Sequence, residues 1–270
     1  MPRAIELIGG FVTAPSTTLT ALTMFSGNSL TVRNAKADSA VRLLNCWADN
    51  QAAGTLRIRS PDLHDNVQGI RLPVVASEPY PLLPGIGKQH LTPQDQLIVE
   101  LSGSATAADI ESAFLMLQYD DLPGIEGRFL TFAEYDALAC ELVTIENTLA
   151  LGTAGGWSGE EALNAEFNLL RANTDYAILG YVVSAECGAV RWRGTDFGNL
   201  GVGGPGLSDA AWFTREWFVY LAMMSGLPTI PVINSANLSA ILVDGATDEN
   251  GTDVTVSTIL CMLGANQTPL

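Results

Sequence analysis

The sequence predicts an all-β protein made of two tandem β-sandwiches, with a connecting helix and one helical insertion. Three observations lead to this prediction: short strand-like runs separated by turns, a sequence pattern that occurs twice in the same order, and a length of 270 residues, which suffices for two domains of ordinary size. We expect the first sandwich over 1–128, the connecting helix over 129–150 and the second sandwich over 151–270.

The first half of the chain is a series of short apolar runs, rich in Val, Ile, Leu and Thr, with turn-forming residues between them. Regularly spaced runs of this kind are typical of sandwiches and barrels. The predicted strands of this half are 18–25, 29–34, 39–47, 55–59, 70–75 and 96–103. Segment 106–119 has an ambiguous periodicity, and only its later part is predicted as a strand.

The connecting helix is predicted from a change of pattern near residue 130. Thr131 and Glu134 form a Thr-x-x-Glu capping box, which is typical of a helix start. Leu138, Leu142 and Ile145 then follow at helical spacing. We therefore expect a helix that leads from one sandwich to the other.

The second half returns to strand-like runs, interrupted by one helix. The predicted strands are 167–171, 176–183, 189–193, 239–245 and 254–263, and Asn250-Gly251 predicts a hairpin turn before the last of them. The helical insertion is predicted over 208–226, from a serine N-cap at Ser208 to a stop at Gly226.

The pattern that occurs twice is GTLRIRSPDL at 54–63 and GAVRWRGTDF at 188–197, which lie 134 residues apart. Other matches follow in the same order along both halves, and their collinearity favours a duplicated domain over two unrelated sheets. These matches are 35–41 with 172–178, Trp47 with Tyr181, Phe25 with Trp157, Leu83 with Leu227, and 97–103 with 239–245.

The Arg-x-Arg strands inside this pattern supply the candidate site residues. Alternation along a strand places the arginines on one face and the apolar residues on the other. An aspartate stands where each strand ends and could pair with these arginines. Two interpretations remain: a solvated strand face that ends in an Asx turn, or an Arg–Asp tie at a subunit contact. The candidates for intersubunit or structural ties are Arg57, Arg59, Asp62, Arg191, Arg193 and Asp196.

Composition narrows the possible functions. Hydrophobic residues make up 47% of the chain and charged residues 16%, below the roughly 25% of ordinary soluble domains. A large apolar fraction with few charges indicates that part of the protein surface is buried against other subunits. The formal net charge of −16 would repel phosphate backbones, so we expect no direct nucleic-acid binding.

We also expect no membrane span and no Sec-type export signal. The four cysteines are widely separated in the sequence, and we expect them to be buried free thiols.

The arrangement resembles the double jelly-roll major capsid proteins, the lineage of adenovirus hexon and of the coats of tailless, membrane-containing bacterial and archaeal viruses. The matching features are the paired strand blocks at 35–63 and 172–197, the helix near 131–147 and the helical insertion at 208–226. We expect a departure from some members in the absence of a long basic N-terminal arm. We also expect a fairly flat outer surface, because large insertions that would form towers are missing.

The resemblance implies a structural protein with no enzymatic activity and no cofactor, in which each sandwich is a jelly roll. Three chains would form a pseudo-hexagonal homotrimer, and trimers would tile an icosahedral shell. The implied partners are further copies of the chain, other capsid proteins such as a vertex protein, and a candidate internal lipid membrane. The implied location is the virion, after synthesis in the host cytoplasm.

Two alternatives remain. A two-domain carbohydrate-binding or carbohydrate-active protein would be favoured if Trp157, Trp212 or Trp217 were exposed together with carboxylates in one cleft. A degenerate double cupin would need a metal site, which Asp62, His64, Asp65 and His90 could form, although we expect the two histidines to lie in surface loops.

Other catalytic motifs are incomplete. GVGGPG at 201–206 matches a dinucleotide-binding pattern, but Pro205 and the following residues break the strand-turn-helix geometry, so we expect a flexible loop there. GGWSGEE at 155–161 misses the nucleophile elbow by one position. We therefore expect no catalytic, metal or cofactor site.

Overall fold

The computed structural model describes ten segments of the chain, and every structural statement below concerns them. They are residues 3–14, 16–27, 30–36, 39–63, 67–76, 79–83, 89–152, 155–164, 170–246 and 253–264.

The first half contains ten strands. The predicted runs at 39–47, 55–59, 70–75 and 96–103 lie on four of them, whereas the ten-residue strand Ala4–Thr13 was not predicted. These strands are β1 (Ala4–Thr13), β2 (Thr20–Ala21), β3 (Thr23–Met24), β4 (Leu30–Thr31), β5 (Val41–Asp49), β6 (Gly54–Arg59), β7 (Ile70–Val74), β8 (Gln89–Leu91), β9 (Gln96–Ser102) and β10 (Ile110–Tyr119). The strand predicted in the later part of 106–119 is thereby confirmed as β10. Strand β7 contains Pro73 and lies at a sheet edge, where a residue without an N–H is tolerated.

The second half contains the remaining strands and most of the helical residues. In chain order they are β11 (Phe129–Leu130), α1 (Phe132–Asp136), β12 (Ala139–Leu149), β13 (Glu161–Ala162), β14 (Asp175–Val183), β15 (Cys187–Arg193), β16 (Gly201–Gly206), α2 (Ala211–Thr214), α3 (Trp217–Ser225), β17 (Ile230–Asn234), a 3₁₀ helix (Ser235–Ala240), β18 (Leu242–Ala246) and β19 (Val254–Leu263). Most of the predicted strand 167–171 and the predicted turn at Asn250-Gly251 lie outside the described residues.

The strands form four antiparallel sheets, two in each half. The first half has the orders β3-β1-β10-β5-β8 and β2-β9-β6-β7, with β4 also pairing with β9. The second half has the orders β11-β17-β14-β19-β12 and β13-β18-β15-β16. The protein is therefore an all-β protein with antiparallel sheets, as the strand pattern predicts.

The two halves share one strand order. The comparison leaves out the short edge strands β3 and β11 and counts β2 and β4 as one strand. When the remaining strands of each half are numbered from one to eight in chain order, both halves have the order 1-8-3-6 in one sheet and 2-7-4-5 in the other. The sequence matches agree with this equivalence. Trp47 and Tyr181 lie on the third strands, and Leu83 and Leu227 both precede the sixth.

The predicted connecting helix over 129–150 is mostly wrong. Only its start is confirmed. The backbone N–H of Glu134 donates to Thr131 Oγ1 at 3.3 Å, and the N–H of Thr131 donates to Glu134 Oε2 at 2.7 Å, so the capping box is formed. Helix α1 ends at Asp136, and the rest of the segment is the eleven-residue strand β12, which pairs along its length with β19.

The burial pattern explains why this segment is a strand. Ile145, Asn147 and Leu149 are buried while Glu146 and Thr148 are exposed, which is a period of two. Several of its residues are β-branched, which favours extended backbone.

The predicted helical insertion is present but divided into α2 and α3. The N-cap position of α2 is Ala210, with no side-chain capping bond, whereas the prediction placed a cap at Ser208. The predicted stop at Gly226 is confirmed, because this residue is the C-cap of α3 with φ of 66°. The turn between the helices rests on β14 at Gly180, where a Cβ atom would overlap the carbonyl oxygen of Thr214.

The expectation of a loop at 201–206 is wrong. This segment is strand β16, and all six of its residues are buried. Its backbone is approached closely from both halves of the chain. Trp217 Nε1 donates to the Gly203 oxygen at 2.9 Å, Tyr181 Oη donates to the Pro205 oxygen at 2.8 Å, and Leu7 of the first half packs against Gly203. Glycines are required because side chains there would occupy the space of these neighbours.

We expect Gly203→Ala to lower the free energy of unfolding by about 2–3 kcal/mol. The new Cβ would overlap the carbonyl oxygen of Val190 and stand 2.6 Å from Leu7 Cδ2. Urea unfolding measures the effect, with Gly159→Ala as the control because nothing lies within 4 Å of a Cβ built at Gly159. Equal stability of the two variants would contradict the packing described for β16.

The main hydrophobic core is continuous across the two halves. One cluster of buried side chains joins Leu7, Trp47 and Phe114 of the first half to Tyr181 and Trp217 of the second. Another cluster lies in the first half, with Leu200 as its one buried member from the second. The halves are therefore packed against each other as one folded unit.

The four cysteines form no disulfide within the described segments. Cys46, Cys187 and Cys261 are buried, as expected, but Cys140 is exposed because it lies on the outer edge of β12. Within the described segments, no helix has the length and hydropathy required to cross a lipid bilayer.

Candidate functional site

The four candidate arginines lie on equivalent strands, β6 and β15. Leu56 and Ile58 are buried, while Arg57 and Arg59 point to the partly exposed face, so the predicted alternation is confirmed. Each arginine forms an ion pair with a carboxylate within the chain. These residues are thus structural ties in the monomer, and a role at a subunit contact stays a prediction.

Arg57 and Arg59 share Glu100, a buried residue on the neighbouring strand β9. Glu100 Oε2 accepts from Arg57 Nε at 2.5 Å and from Arg59 Nε at 3.0 Å, and Oε1 accepts from Arg59 Nη2 at 3.1 Å. Burial alone would raise the pKa of Glu100, but the hydrogen bonds from Arg59 and Arg57 outweigh it and lower this pKa to about 2. The carboxylate is therefore held ionised against two cations.

The second half carries the equivalent pair. Arg191 lies directly opposite Asp244 of β18, as Arg57 lies opposite Glu100. Arg191 Nε donates to Asp244 Oδ1 at 2.9 Å, and its Nη2 donates to Oδ2, which completes a bidentate pair. The guanidinium also stacks 3.8 Å from the centre of the Trp157 ring. Arg193, two residues on, forms an ion pair with Glu160.

The two aspartates form no ion pair with these arginines within the described part of the chain, and an Arg–Asp tie between copies stays a prediction. Asp62 lies in an exposed turn after β6. Asp196 is buried, and its carboxylate accepts from the Asn234 N–H at 2.9 Å and from Asn237 Nδ2 at 3.0 Å. Both follow their strands as turn residues. The neighbouring strands supply Glu100 and Asp244 instead, and Glu160, just before β13, pairs with Arg193.

The predictions based on histidine and tryptophan have mixed outcomes. His64 and Asp65 lie outside the described residues, and His90 is exposed on β8. The three tryptophans do not share a cleft: Trp217 is fully buried, Trp157 lies under Arg191, and Trp212 is exposed on α2. In the described segments no group of three or more His, Cys, Asp or Glu side chains is placed to hold a metal ion.

Most positive charge in the chain is used internally. Ten of the 13 Lys and Arg residues form ion pairs with carboxylates among the described residues. A groove of about 550 Å³ between the halves is lined by Arg33, Arg191 and Arg193, and each of the three is paired in this way. The surface offered to a partner is therefore strongly acidic.

A second cleft, which we call the Trp212 cleft, is uncharged. It has a volume of about 250 Å³, and both halves contribute to it. Its lining residues are Asn45, Tyr80, Pro81, Leu83, Ala210, Trp212, Phe213 and Tyr220. Trp212 is 69% exposed and contacts Phe213 edge to face, with ring centres 5.7 Å apart. A large exposed aromatic side chain beside an uncharged cleft is typical of a protein contact surface.

No protein-family model and no curated protein matches the chain. Solved structures that are similar to it include the PBSX exported protein XepA, at 12% identity over 92% of this chain and 88% of that one. The major capsid protein of bacteriophage PM2 is 10% identical over 99% of this chain and 100% of its own. The Macrobrachium rosenbergii nodavirus structure is 10% identical over 98% of this chain and 91% of its own. All three TM-scores are 0.21, too low to support an argument about function.

Proposed function

We propose that this protein is a structural, non-enzymatic coat subunit of a viral shell, built as a double jelly roll. The observation that carries the proposal is the strand order 1-8-3-6 and 2-7-4-5, which occurs in both halves. This is the order of a jelly roll, an eight-stranded sandwich of two Greek keys that is common in viral capsids and is also found in lectins and cupins.

The packing of the halves suits assembly into trimers. Their shared core holds the two sandwiches side by side. Three such chains around a three-fold axis would present six similar sandwiches, which gives a pseudo-hexagonal unit able to tile an icosahedral shell. The partners would be further copies of the chain, other capsid proteins such as a vertex protein, and an internal lipid membrane. The protein would reside in the virion.

The charge distribution favours a coat without direct contact to the genome. With a net charge of −16 and ten basic residues in internal ion pairs, few cations remain for phosphate groups. The same negative charge makes copies repel one another. Association should therefore strengthen as salt screens the repulsion.

The test is the absolute mass of the purified protein by light scattering, measured over a range of salt and protein concentrations. We expect trimers of about 86 kDa, three times the 28.6 kDa of one chain, or closed shells, with association favoured by added salt. A monomer under every condition would overturn the proposal, and glycan binding would then be the next activity to measure.

A further inference from the structure

We infer that the Trp212 cleft is a contact between copies of this chain and that it receives Leu142 of the neighbouring copy. This inference rests on the proposed self-assembly and adds the surfaces that meet. It follows from the charge of the cleft, from the position of Leu142 and from two exposed charged side chains that form no ion pair with any described residue.

The charge of the chain favours a second copy at the cleft rather than elsewhere on the surface. A copy with net charge −16 is repelled by most of an equally acidic surface. The lining of the Trp212 cleft contains no charged side chain, so a copy that binds there meets no carboxylate in the cleft itself. The apolar rings of Trp212, Phe213 and Tyr220 would be buried by such a contact.

Leu142 is the exposed apolar residue that we assign to the Trp212 cleft of the neighbouring copy. It is 66% exposed on β12, whose outer edge pairs with no other strand of the described residues. The other strongly exposed large apolar residues either belong to the cleft and its neighbouring helix α3 or, like Val67 and Val75, lie in connecting segments of the first half. Leu142 is instead held on a long strand paired with β19, so little conformational entropy is lost when it binds.

Two charged residues fit the same contact. Arg215 follows Trp212 by three residues, is exposed, and forms no ion pair with any described residue. Glu146 lies on the same face of β12 as Leu142, is exposed, and accepts a hydrogen bond from Ser257 Oγ at 3.3 Å. Docking of Leu142 into the cleft would bring this carboxylate towards Arg215 of the neighbouring copy.

The contact would join two different surfaces, as a three-membered ring requires. A two-fold dimer pairs one surface with itself, whereas a ring of three repeats a contact between two distinct surfaces. In this arrangement each copy contributes its cleft to one neighbour and its β12 edge to the other.

The first test is a cross-link between copies. In a Cys140→Ser background, which removes the exposed native thiol, Leu142→Cys and Trp212→Cys are combined and the protein is oxidised. We expect covalent trimers on a non-reducing gel, and only monomers from either single cysteine variant. An intramolecular disulfide, or no cross-link in protein that is trimeric by light scattering, would overturn the assignment of Leu142.

The second test weakens the contact. We expect Trp212→Glu to reduce self-association by about 30-fold or more, as for a central tryptophan in an interface. Val75→Glu is the matched control, since Val75 is 63% exposed and is not among the residues that line the cleft. Arg215→Glu should also weaken association, and addition of Glu146→Arg should restore it.

The outcomes separate this inference from the proposed function. If the wild-type protein is monomeric, the proposed function fails. If it is trimeric and Trp212→Glu leaves its association unchanged, the inference fails and the coat proposal stands. If Trp212→Glu lowers the unfolding midpoint of the monomer but leaves association unchanged, Trp212 serves only the packing of its own chain against Phe213, which also overturns the inference.

Discussion

Replacement of Trp47 by alanine is expected to destabilise both halves of the chain together, by about 3–5 kcal/mol. Trp47 is fully buried in the core that the halves share. Its ring stacks on Phe114 with centres 5.8 Å apart and meets the edge of Trp217 at 6.1 Å. Its Nε1 donates to the Gly188 oxygen in the other half at 2.9 Å. Removal of this side chain leaves a cavity at the junction of the two halves.

Urea unfolding followed by two spectroscopic probes measures this effect. We expect a single transition in the wild-type protein and in Trp47→Ala, shifted to lower urea in the variant. Trp47→Phe is the control, because it keeps most of the ring packing and leaves the Gly188 carbonyl unpaired, at a cost of about 1–3 kcal/mol. Two separate transitions, of which the substitution moves only one, would contradict a shared core.

The second large effect is expected for Glu100→Gln, which should lower the free energy of unfolding by about 3 kcal/mol at neutral pH. The substitution removes the one carboxylate that Arg57 and Arg59 share and leaves two partly buried cations without their counter-charge. Glu141→Gln is the matched control. Glu141 also forms an ion pair, with Arg171, but both side chains are exposed, so its loss should cost less than about 1 kcal/mol.

The pH dependence of the Glu100 effect has a definite sign. The pKa of Glu100 is about 2 in the folded protein, below its ordinary value of 4.5. The stabilisation is therefore fully present above about pH 4.5 and is lost as pH falls towards 2. The stability difference between wild-type protein and Glu100→Gln should shrink over this interval. A difference that stays constant from pH 7 to pH 2 would show that the ion pairs do not stabilise the fold.

Segment 139–149 is a strand although its leucine and isoleucine spacing is helical. Leu138, Leu142 and Ile145 fit a helical spacing, yet the buried face of the strand is Ile145, Asn147 and Leu149. Asn147 concealed this alternation because it is polar. It can be buried because its Nδ2 donates to the Ala162 oxygen at 2.9 Å, a partner that only the folded chain supplies.

Strand β16 could not be predicted from local composition. Glycine and proline are poor strand formers, so GVGGPG has the composition of a loop. The segment is extended because β15 pairs with it, and its glycines admit Leu7, Tyr181 and Trp217. These contacts are tertiary, and no local pattern reports them.

The sequence alone could have identified Glu100 and Asp244 as the acidic partners of Arg57 and Arg191. The repeat comparison aligned 97–103 with 239–245 at an offset of 142 residues, whereas the strand register places Glu100 and Asp244 in equivalent positions, 144 apart. A shift of two residues would have matched the two acids. Asp62 and Asp196 are predicted as partners because they are close to the arginines in sequence, but the neighbours of a residue across a sheet come from other strands.

A coat subunit with two jelly rolls should assemble into particles of a characteristic outline. Negative-stain images of the light-scattering peak, averaged into classes, test it most directly. We predict particles with three-fold symmetry and a six-lobed, pseudo-hexagonal outline, or closed shells built from them. Isolated two-lobed particles at every salt and protein concentration would contradict the account.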